Sequence, residues 1–467
     1  MRSLEEWLTH QERVHPQAID LGLERLERVL RRLDWRQPRV PVITIAGTNG
    51  KGSVAAYATA ILQAAGHRVG TFTSPHLRDY RERIRIDNQK VEVATLLSAF
   101  ERIEEACRRG AAAPGNVATP GASSSDGAIS LTFFEYNALA AFLVFDSAPL
   151  DVWVLEVGMG GRLDAVNVVD PTVAVVVSIG LDHQEFLGRT PEAIAREKAG
   201  IFRAHVPAVL GSRHMPGVLE ELARTIGAPL KRLGKEFDFS RRAERWRYRG
   251  LRWDLDDLPA PALAGDIQYA NAATAIAAVE ELASRLRITS EAIAGGLCGV
   301  RLEGRFQSIL ACGVEWILDV AHNPDAARVL AANLAAMPAA GRTLAVCGIL
   351  ADKDAAGVAA ELGPAIDEWW VATTQGSRGA SGAALAARMA PHLETPVHLA
   401  ADIEGGCLSA LTVARPGDRI VVFGSFHTVA PALDWLEARA RLPSGSSPAA
   451  SSPAASLREY TVSPRIS

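Results

Sequence analysis

No apolar stretch of the chain reaches the length of a membrane-spanning helix, and Met1 to His10 lack the apolar core of a signal peptide. A cytoplasmic protein is expected. Cysteine is scarce: Cys107, Cys298, Cys312, Cys347 and Cys407 stand far apart, without the close spacings of a zinc site or redox pair. Reduced, mostly buried thiols follow from that. Charge of one sign is missing as well, and a net charge of −4 gives no general attraction to nucleic acid or membrane. The arginines at 241, 242, 245, 247, 249 and 252 are interleaved with Trp246, Tyr248 and Trp253. Glu244, Asp254, Asp256 and Asp257 offset them, which suits the solvated face of a short hairpin better than a nucleic-acid surface. Internal repeats and an Asn-Lys-x-Asp guanine reader are absent too.

What is present describes a globular protein of more than one domain. At 467 residues, 48% hydrophobic and 22% charged, the chain is too long for one ordinary core. Apolar runs at 41–46, 68–73, 151–157, 172–178 and 206–210 read as strands. Helical runs near 53–65, 92–108, 132–147, 190–202 and 215–226 separate them, giving an α/β unit with a mostly parallel sheet. Residues 236–255 read as short antiparallel strands, and Tyr269 to Leu286 as a helix opening on Asn271. A second alternating set begins after residue 306, with strands near 307–311, 315–319, 343–348, 369–373 and 419–423. The expectation is therefore an N-terminal α/β domain over 1–299, which the glycine-rich loop at 45–53 marks as a phosphate-loop ATPase domain, a linker at 300–306, and a smaller Rossmann-like α/β domain over 307–439. Ala111 to Ala128, rich in Ala, Gly, Pro and Ser, reads as a flexible insertion, and 440–467 as a disordered tail.

The local chemistry is densest at Ile45 to Ser53, Ile-Ala-Gly-Thr-Asn-Gly-Lys-Gly-Ser, between an apolar strand and an alanine-rich helix. Glycines let successive backbone N–H groups point inward, the helix N-terminus adds partial positive charge, and Lys51 neutralises phosphate oxygens. A glycine-rich β–α turn without ligand is the plain alternative, but the strand–turn–helix context favours a triphosphate cradle. The spelling departs from the common phosphate loop, because Gly52 separates Lys51 from Ser53. A triphosphate calls for Mg²⁺, which takes oxygen ligands and retains waters. Ser74, Glu156 and His183 are the candidates: Glu156 closes an apolar strand, where a carboxylate faces the crevice of an open α/β sheet. Each has a duller reading. Ser74 before Pro75 suits a turn, Glu156 an ion pair with Arg162, and His183 a cap or core position. Lys198, in a helix with Arg196 and Glu197, reads by itself as an exposed charge or ion-pair partner.

The loop Gly47-Thr48-Asn49-Gly50-Lys51-Gly52-Ser53, followed by Thr73-Ser74-Pro75-His76-Leu77, resembles the opening of the folylpolyglutamate synthase and dihydrofolate synthase family, relatives of the Mur ligases. Thr132-Phe133-Phe134-Glu135, Leu155 to Ala165, Leu181-Asp182-His183 and Arg196 to Phe202 continue in that family's order. So do Asn271 to Ala275, Gly304-Arg305-Phe306-Gln307, Asp319 to Pro324, Asp352-Lys353-Asp354 and Phe423 to His427. The likeness runs from about Ile19 to about Leu436.

The resemblance implies ATP contacts at Gly47, Thr48, Asn49, Gly50, Lys51, Gly52, Ser53, Asn271, Arg305 and Asp319. It implies two magnesium ions, one held at Ser74, Glu156 and His183, and a carbamylated Lys198 reaching the metal site. His322 is expected near the γ-phosphate or purine. The pterin substrate would touch Ala18, Ile19, Asp20 and Leu21, with Thr132, Leu163, Asp164 and Ala165 elsewhere in the pocket. Residues 17–25 also suit a helix cap and amphipathic turn, with Asp20 as the cap. Asp352-Lys353-Asp354 has two readings, a helix-start cluster or contacts to the amino-acid substrate.

The implied activity is an ATP-dependent amide ligase. Phosphorylation of a carboxylate gives an acyl phosphate, and the amine of L-glutamate displaces phosphate. In bifunctional bacterial members dihydropteroate becomes dihydrofolate and reduced folates gain γ-linked glutamates. The partners would be these small molecules, with no nucleic acid or membrane, and a monomer is expected. A folylpolyglutamate synthase alone is one alternative; a Mur ligase of cell-wall precursors is another, but only about 40 residues precede the loop strand, too few for a separate N-terminal substrate domain. A nucleotide switch is the reading from a different class.

Overall fold

The structure, a computed structural model, describes residues 2–109, 127–242, 245–376 and 378–440. Almost all of the 111–128 insertion, Glu244 and the tail beyond residue 440 lie outside the described residues.

Two helices, α1 (Leu4–Val14) and α2 (Glu24–Arg32), precede the first sheet. That sheet holds β1 (Val42–Ala46), β2 (Val69–Phe72), β3 (Ile84–Ile86), β4 (Gln89–Lys90), β5 (Val152–Glu156), β6 (Val173–Val176), β7 (Ala208–Leu210) and β8 (Leu230–Arg232). Their order is β4-β3-β2-β5-β1-β6-β7-β8. The six strands from β2 to β8 in that order run parallel, and β3 and β4 add an antiparallel edge. The helices are α3 (Lys51–Ala64), α4 (Val93–Arg108), α5 (Phe133–Asp146), α6 (Gln184–Leu187), α7 (Pro191–Lys198), α8 (Val218–Ile226), α9 (Ile267–Glu280) and α10 (Ser290–Gly299).

Strand alternation decides which face each side chain meets. Val42, Ala46, Trp153, Leu155, Ala174 and Val176 face α1, α2, α4 and α5. Ile43, Ile45, Val152, Val154, Val173 and Val175 face α3, α9 and α10. Both faces are dry, so each of Ile43 and Ile45 contributes roughly 1.5–3 kcal/mol of burial. Double-sided burial explains why these strands read as continuous apolar runs.

The hairpin expected at 236–255 is a three-stranded antiparallel sheet of β9 (Asp238–Arg242), β10 (Arg245–Arg249) and β11 (Asp254–Pro259). Trp246 and Tyr248 are buried on one face, and the arginines pair outward, Arg241 with Asp266 and Arg247 with Asp254. Helix α9 differs from expectation at both ends. It starts at Ile267, so Asn271 lies inside it, and after Glu280 the chain continues in tighter bonds such as Leu282 N–H to Val279 C=O.

The second sheet contains β12 (Gln307–Ala311), β13 (Val314–Asp319), β14 (Thr343–Cys347), β15 (Glu368–Ala372), β16 (Val397–Ala400) and β17 (Arg419–Phe423) in the order β12-β13-β17-β14-β15-β16. Only β12 is antiparallel to its neighbour. Helices α11 (Pro324–Ala336), α12 (Ala355–Leu362) and α13 (Gly382–Met389) cover one face, and α14 (Ile403–Val413) and α15 (Phe426–Ala440) the other. β16 escaped the sequence reading because His398 and Leu399 are exposed on an edge strand, which breaks the buried apolar pattern.

Candidate active site

Four adjacent parallel strands, β2, β5, β1 and β6, end side by side. Their C-terminal ends carry Ser74, Glu156, the glycine loop and the Asp182-His183 segment, in that spatial order. This is the crevice that open α/β sheets offer to ligands. The second sheet faces it with the ends of β13, β14 and β17. Together they enclose a cavity of about 950 Å³.

Every site residue singled out from sequence lines this cavity: the phosphate loop, Ala18 to Leu21, Ser74, Thr132, Glu156, Leu163 to Ala165, His183, Lys198, Asn271, Arg305, Asp319 and His322. The loop is shaped by Gly50, whose φ of 84° lies in the left-handed region; a Cβ there would meet Asn271 Oδ1 and Val177 Cγ1, each at 2.9 Å. Because Gly50 caps α3, the helix begins at Lys51, two residues earlier than expected. Lys51 Nζ donates to the carbonyls of Gly47 at 3.0 Å and Thr48 at 3.3 Å. Lys198 Nζ donates to the same Gly47 carbonyl, also at 3.0 Å.

Lys198 is therefore not an exposed helical charge. It is buried, and desolvation, with Lys51 adding repulsion, pushes its amine down to about 7. Glu156 is buried as well and accepts a hydrogen bond from the Ser74 N–H at 3.0 Å. Burial raises its carboxyl, while Lys51, the Ser74 amide, Arg305 and Arg83 pull the other way. The ion pair considered between Glu156 and Arg162 does not form, since Arg162 pairs with Glu197. His183 sits at a φ of 51°, and burial pushes its imidazole down to about 4, leaving the ring neutral with a lone pair to offer. Among the described residues no three His, Cys, Asp or Glu side chains converge as a metal cluster. Ser74 and Glu156 still present oxygen donors suited to Mg²⁺, a hydroxyl and a buried carboxylate, and His183 adds a neutral imidazole, an unusual magnesium ligand by hardness, provided phosphate oxygens complete the shell.

Asp182, not singled out from sequence, ties the two sheets together. Its carboxylate takes Lys353 Nζ at 2.5 Å, His322 Nε2 at 3.3 Å and Asn323 Nδ2 at 3.4 Å. Burial opposes its ionisation, but the His322 hydrogen bond and the Lys353 ammonium hold it well below the usual carboxylate range. Asn49 and Asn323 exchange amide hydrogen bonds at 3.1 Å beside it. The Asp352-Lys353-Asp354 triplet divides: Asp354 caps α12, Asp352 pairs with Arg378, and the buried Lys353 reaches the cavity. Arg305 stacks over Phe426 and faces Asp319, whose carboxylate accepts from the Phe306 and Ala321 amides at 2.8 Å.

At the opposite end of the cavity, Asp20 does not cap a helix. The N-cap of α2 is Leu23, without a side-chain bond, and Asp20 pairs with Arg25 at 2.6 Å and His15 at 3.2 Å. Thr132 caps α5 in a reciprocal pair with Glu135. Asp164 caps the turn over Ala165–Val168, and burial pushes its carboxyl up to about 7 despite amide bonds from Met159 and Val166. Arg83, missed in the sequence because it ends a short helical turn with no local signature, is buried against His76 and Phe133 and lines the cavity.

Known proteins share this architecture. Residues 45–215 match the Mur ligase middle domain and 304–426 the Mur ligase glutamate ligase domain. An Escherichia coli dihydrofolate synthase/folylpolyglutamate synthase is 41% identical over 436 residues, covering 93% of this chain and 96% of its own. The chain belongs to the dihydrofolate synthase/folylpolyglutamate synthase family. Two solved structures of that family superimpose closely. E. coli FolC in complex with DHPP and ADP has a TM-score of 0.85 at 40% identity, covering 94% of this chain and 99% of that one. A bifunctional folylpolyglutamate synthase/dihydrofolate synthase with Mn, AMPPNP and L-glutamate bound has a TM-score of 0.82 at 41% identity, covering 94% and 98%. The family places this chain among ATP-dependent ligases.

Proposed function

We propose that the enzyme joins L-glutamate to dihydropteroate, giving dihydrofolate, and to the γ-carboxylate of reduced folates, with ATP as co-substrate. The observation that carries this reading is the single cavity in which a phosphate loop, a buried carboxylate, a neutral histidine and the ends of a second sheet meet. A ligase needs such a meeting, because nucleotide, acceptor acid and amine must be held together while water is kept out. The relatives solved with ADP and DHPP, and with AMPPNP, Mn and L-glutamate, support the same substrates here.

In the proposed reaction the glycine-loop amides and Lys51 hold the triphosphate, with Asn271, Arg305 and Asp319 completing the nucleotide site. Ala18 to Leu21, Thr132 and Leu163 to Ala165 hold the pterin. Ser74, Glu156 and His183 would hold Mg²⁺, with a second ion expected on the phosphates; the metal supplies charge neutralisation as phosphate moves. Lys51 stabilises the same charge from the protein side. The acceptor carboxylate attacks the γ-phosphorus and releases ADP; the glutamate amine then attacks the acyl phosphate and releases phosphate. Nothing in this sequence requires a covalent enzyme intermediate. His322, bound to Asp182 and the Val320 carbonyl, acts through the meeting of the two sheets. Residues 1–299 and 307–439 form the two domains, joined at 300–306, supported by the two separate sheets. A cytoplasmic monomer acting without nucleic acid or membrane completes the proposal.

Dihydropteroate and tetrahydrofolate, each offered with L-glutamate and MgATP, test it. ADP formation with both marks the bifunctional enzyme, and with tetrahydrofolate alone a folylpolyglutamate synthase. Rapid GTP hydrolysis without either acid would overturn the reading in favour of a nucleotide switch.

A further inference from the structure

Between β2 and β3 the chain makes an eleven-residue excursion, 73–83, whose first turn carries Ser74 against Glu156. Its far end belongs to the other sheet. Leu77 packs into the apolar cluster formed by Trp316, Leu318, Leu433 and Leu436. Arg78 then forks between three carboxylates: Nη2 to Glu303 at 2.7 Å, and Nη1 to Glu437 at 2.8 Å and Asp434 at 3.4 Å. Glu303 precedes β12, and Asp434 and Glu437 ride on α15, whose first residue, Phe426, lies under Arg305.

The excursion is built as one stiff body. The Glu82 carboxylate accepts the backbone N–H groups of Leu77 at 2.7 Å, Arg78 at 3.2 Å and Asp79 at 2.9 Å. Although burial opposes it, these amides hold the Glu82 carboxyl below its ordinary range. At the base, Thr73 N–H donates to the Arg83 carbonyl at 3.0 Å and Thr73 Oγ1 to the Glu82 carbonyl at 3.3 Å. Arg83 Nε crosses the middle to His76 Nδ1 at 2.8 Å. A displacement of Arg78 is therefore carried to Ser74, because little between them can absorb it.

We propose that Arg78 is a positioning residue: by clamping the 73–83 excursion to α15 and Glu303, it sets Ser74 beside Glu156 only while the second sheet is docked. The inference rests on the metal and nucleotide reading of Ser74 and Glu156, but its first readout needs neither ligand nor turnover. A guanidinium suits the clamp because its planar fork aims Nη1 and Nη2 at carboxylates on two elements, where an ammonium offers one point of charge.

The experiment compares wild type with Arg78→Ala and Arg78→Lys, and with Asp434→Asn/Glu437→Gln, which weakens the clamp from the other side and serves if Arg78→Ala fails to fold. In ligand-free protein, hydrogen exchange of the peptide covering 73–83 should quicken in Arg78→Ala and in the double variant. The dissociation constant for AMPPNP with Mn²⁺, by calorimetry, should rise about three- to thirty-fold, as removal of a small ion-pair network implies. Arg78→Lys should fall between. Raising ionic strength should weaken AMPPNP binding by wild type more than by Arg78→Ala. Unchanged exchange over 73–83 together with unchanged AMPPNP affinity in a folded variant would overturn the proposal. Loss of ligase activity with intact exchange and binding would overturn it too, whereas faster exchange in a protein inert towards pteroates would leave the clamp standing and remove the functional reading instead.

Discussion

Lys198 offers the sharpest test of the site's electrostatics. The residue is 3% exposed, and its amine donates to the Gly47 carbonyl at 3.0 Å and is pushed down to about 7 by desolvation and by Lys51, with Asp182 and Asp164 opposing. Carbamylation consumes the neutral amine and CO₂. At pH 8 about 90% of an amine with this affinity is neutral, against about 0.3% of an ordinary lysine, an advantage of roughly 300-fold. Labelled bicarbonate should therefore give a carbamate carbon signal by ¹³C NMR that grows as pH rises through about 7 and is missing from Lys198→Met. The linkage has a definite sign. The folded-state value lies below the unfolded one, so the unfolded chain binds more protons between about pH 7 and 10.5, and stability rises with pH across that window. At pH 7 in CO₂-free buffer the buried amine costs about 4 kcal/mol, and Lys198→Met should melt higher there, with the gap closing towards pH 10. No carbamate signal at pH 8, or one equally strong in Lys198→Met, would refute the modification; a melting temperature that falls in the variant would refute the desolvation argument itself.

Lys51→Ala should leave the fold intact, since the ammonium touches only loop carbonyls, and lower kcat/KM for MgATP by about 10²–10³; near-normal turnover would defeat the phosphate assignment. Glu156→Gln should raise the Mg²⁺ concentration needed for half-maximal activity without loss of thermal stability near pH 8. Burial raises that carboxyl above its unfolded value, so its ionisation costs stability as pH climbs; a lower melting temperature would contradict this. Gly50→Ala places a methyl 2.9 Å from Asn271 and Val177 at a left-handed φ, costing about 1–2 kcal/mol, and should abolish AMPPNP binding measured by calorimetry.

How far the sequence could be read depended on range. Both sheets were legible because buried parallel strands leave apolar runs that no surface requirement interrupts, as at Val173–Val176. The edge strands β4, β8 and β16 were missed because half their neighbours are water, and the three-residue β3 beside β4 was too short to leave a pattern. Lys51, Glu156 and Ser74 were legible because each sits at the end of a strand or turn with a local signature. Asp182 was not, since its role lies in Lys353, His322 and Asn323, more than 130 residues away, and a lone carboxylate after a strand looks like any loop acid. The cap alternative for Asp20 failed for the opposite reason: a short acid before a helix suits a cap, but Arg25 reaches it first.

Several of the contacts that join the two sheets share one character. Asn49 with Asn323, Asp182 with Lys353 and His322, and Arg78 with Glu303, Asp434 and Glu437 are all polar. Leu77 adds an apolar contact, one side chain deep. An apolar seam of this extent would lock, because opening it exposes surface that water cannot satisfy. A polar one separates at modest cost, since water replaces each hydrogen bond, and it re-forms only in register, since each charge has a specific partner. A ligase that takes three substrates into one cavity and releases ADP, phosphate and an amide needs both properties, free opening between turnovers and a single closed arrangement during them. Asp182 meets both demands at one atom pair. Its charge is costly when buried alone and stable only when the second sheet supplies Lys353, so the closed arrangement with that lysine seated is the one in which Asp182 can stay buried and charged.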